Sequence, residues 1–168
     1  AEYFVKAKLM VEPETNNSIY VLDLPFKEIV FDTTLKENEY IKGEGNMTIH
    51  YTGGVLNYIL PDGYNTIIDL NKANEIHLNL IGKGRVEIKT SGKSTLKIIG
   101  KINLDSVKTI YVDNDVKTVE IENVNVANYS EFYVKSLNNY SADIKIKNLT
   151  LLEHSKGNFT NLEVTETL

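Results

Sequence analysis

The chain contains no cysteine and no tryptophan, and only three prolines in 168 residues. Without cysteine there is no disulfide framework, no thiolate nucleophile and no zinc-thiolate site. No apolar run approaches the ~20 residues of a transmembrane helix. Helical periodicity is nearly absent too, while Val, Ile, Thr, Tyr and Phe are frequent, so the expected class is all-β. Neither sign of charge dominates any stretch. The net charge is −5, with lysines and acidic residues interleaved, and no basic face of the kind that binds nucleic acid is evident. The length suffices for one domain with a real core.

Catalytic and metal-binding motifs are also missing. His50, His77 and His154 stand apart, none in a His-x-x-x-His spacing. His77 falls at an outward strand position and reads as a surface residue. Asp113-Asn-Asp115 resembles a calcium loop in part, but the other oxygen ligands are lacking and a turn explains it. Gly82-Lys-Gly84 has no Gly-Lys-Ser/Thr ending, so it is no phosphate loop. No Gly-x-Ser-x-Gly elbow occurs, and no carboxylate pair stands out for glycoside chemistry. Neither an enzyme nor a cofactor is expected.

What is present is an octet that occurs twice. Residues 119–126 read V-E-I-E-N-V-N-V and residues 144–151 read I-K-I-K-N-L-T-L, an offset of 25 residues with every apolar position and the central Asn conserved in place. Self-similarity at a fixed period marks a repeat architecture. Leu96–Leu104 has the same plan, with Gly100 at a corner. Leu78–Lys83 matches Leu96–Lys101 at an offset of 18, and Thr109–Val112 aligns with Glu131–Val134 at 22. Leu162–Val164 reads as the next copy of that last strand type.

Residues 76–168 thus parse as about four rungs of a β-solenoid, with Asn123 and Asn148 as a corner ladder. The alternative is an antiparallel β-sandwich, whose strands recur about every 8 to 12 residues. Residues 14–75 are less regular and read as an irregular β region or a cap, with one domain continuous with the repeats as the alternative division. Ten tyrosines offer stacking platforms, with Tyr111 and Tyr133 at matching repeat positions.

Residues 1–13 read as an N-terminal strand and a candidate donor strand. Tyr3, Val5, Ala7, Leu9 and Val11 alternate on one face, and Pro13 ends the run. Such a strand pairs either within its own sheet or with a neighbour's open edge. The strand-like last residues carry no evident cap, so both ends hint at assembly. Six Asn-x-Ser/Thr sequons occur, at Asn16, Asn46, Asn128, Asn139, Asn148 and Asn158. Chance predicts about 2.5 from the Asn, Ser and Thr content. Ala1 in place of Met fits a mature chain after signal-peptide removal.

The strand-Gly repeats at 78–83 and 96–101 resemble the short β-solenoids of bacterial adhesin-like proteins. The alternating strand Tyr3–Val11 and the dense sequons resemble subunits of secreted archaeal surface filaments of the thread type. That resemblance implies a glycosylated structural subunit, extracellular at the cell surface. Each copy would insert its N-terminal strand into the next, so that its partners are other copies of itself and N-linked glycans. The alternatives are a monomeric carbohydrate-binding or adhesive module, and a virion structural protein of an archaeal virus.

Overall fold

The structure, a computed structural model, describes residues 8–11 and 19–167. The chain forms β1 (Lys8–Val11), β2 (Ile19–Leu24), β3 (Glu28–Phe31), β4 (Glu39–Gly43), β5 (Met47–Tyr51) and β6 (Val55–Leu60). There follow β7 (Thr66–Asp69), β8 (Glu75–Gly82), β9 (Gly84–Lys89), β10 (Thr95–Leu104) and β11 (Val107–Val112). The last are β12 (Thr118–Val126), β13 (Tyr129–Ser136), β14 (Asp143–Leu151), β15 (Lys156–Phe159) and β16 (Leu162–Thr167). From β2 the chain alternates between two sheets. Even-numbered strands stack in one sheet of nine with β1 at its edge, and odd-numbered strands from β3 to β15 stack in another of seven. Each even–odd pair is one turn of a parallel coil, and there are seven such turns before β16.

Every strand pairing from β2 onward is parallel, and only β1 lies antiparallel on β2. The fold is therefore a β-solenoid and not an antiparallel sandwich. Its extent corrects the expectation of four rungs. The stretch read as an irregular region or cap over 14–75 contains, from Ile19 onward, three regular turns of the same coil. Unequal turn lengths hid them. Adjacent turns are offset by 17 residues at Ile41↔Tyr58, 22 at Tyr58↔Leu80 and 25 at Val119↔Ile144. Insertions at the corners erase sequence similarity while the strands stay in register.

Strand alternation sends every second side chain inward, and stacking in register turns these into columns. In the nine-stranded sheet one column runs Leu96–Val119–Ile144–Leu162 and another Ile76–Ile98–Ile121–Ile146–Val164. In the seven-stranded sheet Ile29, Ile49, Ile68, Ile88 and Val112 form a third. All but Leu162 and Val164 are buried in one continuous core between the sheets. β-branched residues suit this packing, because their stiff side chains nest on the pleated surface of the next turn.

Three repeat alignments shift in space. Gly100 pairs with Leu78 and not Gly82, so Leu96–Lys101 sits four residues off the expected register. Thr109 pairs with Tyr133, two residues off. Leu162–Val164 belongs to β16, which continues β14 in the other sheet. Even slips keep inside and outside unchanged, so alternation alone cannot reject them. The glycine resemblance nevertheless has a structural meaning. At Gly82 and Gly100 a Cβ would lie 2.8 and 2.3 Å from the carbonyl oxygens of Leu60 and Leu78 one turn below, and both have positive φ. Each is a close backbone approach that only glycine permits.

Candidate functional site

Outward-facing residues form columns as regular as the core. On the nine-stranded sheet Glu75, Lys97, Glu120, Lys145 and Glu163 stack in register with strictly alternating sign. Directly opposed unlike charges favour this register, and a one-residue slip would replace the row with apolar side chains. At the bend of the same sheet the Asn column is a true ladder. Asn148 Nδ2 donates to Asn123 Oδ1 at 3.2 Å, and Asn79 Nδ2 donates to Asn57 Oδ1 at 2.8 Å. Between the pairs, Asn123 Nδ2 donates to the Gly100 carbonyl at 2.9 Å. The ladder foreseen at Asn123 and Asn148 thus extends down to Asn57.

The seven-stranded sheet carries the more diverse outer face. Asn65, just before β7, donates its backbone N–H to Asn46 Oδ1 at 2.7 Å, and its own Oδ1 accepts from Arg85 Nε at 2.9 Å. Thr109 and Tyr133 continue that column upward. The Arg85 guanidinium lies 5.4 Å from the ring centre of Tyr111 on the next turn, a cation–π contact. Two open grooves meet at Asn65, Arg85 and Tyr111. One, of about 730 Å³, is bordered by the Asp62–Tyr64 turn, Lys83 and Val107. The other, of about 380 Å³, reaches Leu137 and Asn139.

Tyr111 and Tyr133 do not stack. Tyr111 pairs with Lys135, while Tyr133 lies 5.0 Å beneath the Lys135 ammonium and donates its hydroxyl to Glu131. That bond to a carboxylate raises the Tyr133 hydroxyl above its ordinary pKa.

The structure also gathers His50, which looks isolated in sequence, with Glu28 at 2.5 Å and Asp69 at 3.6 Å on neighbouring turns. Among the described residues no group of three or more His, Asp or Glu is arranged to hold a metal ion. The carboxylate of Asp113 is engaged as a turn clamp: one oxygen accepts the backbone N–H groups of Thr90 and Ser91, both at 2.8 Å. His77 is exposed, as read from its strand position.

The sequons fall into three groups. Asn16 lies outside the described residues. Asn46, Asn128, Asn139 and Asn158 are exposed, and Asn128 and Asn139 sit at corners with left-handed backbone. Asn148 is half-buried, and the nitrogen that would carry sugar donates to Asn123. Of the N-terminal row, Tyr3, Val5 and Ala7 also lie outside the described residues. Leu9 and Val11 belong to β1, where they pair with Val21 and Ile19.

The two ends of the coil differ. At the first turn Ile29 and Phe31 are buried, although β3 is a sheet edge. At the last, Phe159, Leu162 and Val164 continue buried columns but are only half-covered, and β15 and β16 form the outer edges. Among the described residues no helix is long and apolar enough to cross a membrane. No family model, curated protein or solved structure matches the chain.

Proposed function

We propose that this chain is a non-catalytic structural subunit that joins end to end with copies of itself into an extracellular surface filament. The observation that carries the reading is the exposed last turn. Phe159, Leu162 and Val164 repeat positions that are fully buried in the turns before, and among the described residues no strand pairs with the outer sides of β15 and β16. A parallel strand edge backed by an apolar face is a template for another strand. β1, antiparallel on β2, is the natural donor: exchanged onto the β16 edge of a neighbour, it would supply backbone hydrogen bonds and alternate side chains. The four exposed sequons, Asn46, Asn128, Asn139 and Asn158, are the proposed glycan carriers of a secreted protein. Asn148 is left out because its amide is part of the ladder.

Electron microscopy of native protein tests the reading. Filaments with an axial repeat of roughly 40 Å are expected, since nine stacked strands at about 4.8 Å give that length. Deleting residues 1–12 should then leave dispersed monomers. Filaments from the truncated chain would remove the donor role, and monomers from the intact chain would remove the filament reading itself.

A further inference from the structure

We infer that the groove around Arg85 is a binding site for the carboxylate of an acidic sugar chain of the uronate class. Arg85 is the only arginine in a chain that otherwise uses lysine for its positive charges. An ammonium would supply charge equally well; a guanidinium adds a planar fork that matches a carboxylate in two parallel bonds. The side chain is held in place before any ligand arrives. Nε is fixed by Asn65 Oδ1 at 2.9 Å, and the guanidinium carbon sits 5.4 Å from the ring centre of Tyr111. That leaves the terminal nitrogens uncommitted, and none of the described acidic residues pairs with them. The nearby acids are taken: Asp62 by Lys83 at 3.4 Å, and Glu87 by Lys89 at 3.8 Å. The groove therefore holds one net positive charge on a protein whose net charge is −5.

The surroundings suit a sugar more than a bare anion. Tyr64 is 50% exposed and Val107 46%, so two apolar surfaces flank the charge. An aromatic face takes up the C–H side of a pyranose ring, and the hydroxyl of Thr109 and the amide of Asn65 line the same groove. A volume of about 730 Å³ accommodates a short oligosaccharide. A phosphate or sulfate dianion would call for a second unpaired cation, and Lys83 is already engaged. The site lies on the side of the coil, away from both ends, and does not depend on the filament reading.

The test is calorimetric titration of the full chain, made in a host that does not glycosylate, with tri- and tetragalacturonate. The comparison ligand is the same oligomer after reduction of its carboxyl groups to alcohols. Saturable binding of the acidic form is expected, with the reduced form at least about tenfold weaker. Arg85→Lys keeps the charge but loses the fork and the Asn65 bond, and should weaken binding about tenfold. Tyr64→Ala, at an exposed turn, should weaken it about threefold or more. The inference is overturned by any of three results: no saturation up to ~10 mM, equal binding of acidic and reduced forms, or Arg85→Lys and Tyr64→Ala both binding like the parent.

Discussion

Lys108 occupies an inward position of β11, in a column with Gly84 below and Phe132 above. It is 1% exposed, and its ammonium donates to the backbone carbonyl of Asn103. Burial pushes the Lys108 pKa down to about 8, against a smaller opposing pull from Asp105. In the unfolded chain a lysine titrates near 10.4. Below pH 8 both states carry the proton, and the cost of burying the charge is present in full. Between about 8 and 10.4 the unfolded chain binds more protons than the folded one, so stability rises with pH, by roughly 3 kcal/mol in all. Tyr58, whose hydroxyl is pushed up mainly by burial, opposes this only above pH 10. Urea midpoints measured from pH 7 to 10 should climb for the parent protein and stay nearly flat for Lys108→Met. A flat parent profile would mean that the ammonium is hydrated in the folded state.

The Asn ladder shows how a strand is tied to its neighbours at the bend, and its members are not equivalent. Asn57 in β6 is 1% exposed, donates to the carbonyls of Lys36 at 2.8 Å and Glu39 at 3.0 Å, and accepts from Asn79. Asn148 in β14 is half-buried and makes the single bond to Asn123. Asn57→Ala removes three bonds at a buried position, leaving the Lys36 carbonyl with only the Glu39 N–H, and should cost about 3 kcal/mol; Asn148→Ala should cost about 1 kcal/mol. Equal losses in chemical denaturation would show that the ladder contributes as a uniform column and not bond by bond. Asn123 and Asn148 were legible as a ladder because the octets around them match at every apolar position. Asn57 and Asn79 were not: they lie 22 residues apart in strands whose flanking sequences differ. The same limit applies to the Arg85 site. Asn65, Arg85 and Tyr111 come from three successive turns, and their meeting depends on register, which hydrophobic alternation leaves uncertain by two or four residues. The rarity of arginine was the one signal in the sequence that pointed there. The all-β class and the inward rows were readable because alternation is local, whereas the number of turns depended on corners of unequal length.

Each strand of the coil packs on its neighbours above and below, so stability is a sum of turn-by-turn interfaces and is not shared evenly. The central strands β8, β10 and β12 are bounded on both sides by buried columns, while β15 and β16 have a partner on one side and half-covered side chains on the other. Hydrogen exchange should follow that gradient. Amides of β10 are expected to open only with global unfolding, and those of β16 at least about 100-fold faster, a difference of about 2.7 kcal/mol in local opening. The gradient also discriminates between assembly modes. If copies join through the last turn, protection of β16 in assembled material should rise to near that of β10, because its free backbone groups and the faces of Phe159, Leu162 and Val164 become interior. If filaments form but β16 still exchanges fast, the copies associate through another surface. The alternating Glu75–Lys97–Glu120–Lys145–Glu163 column is then the face to disrupt next, since a reversed second copy shifted by one turn would set each Glu opposite a Lys.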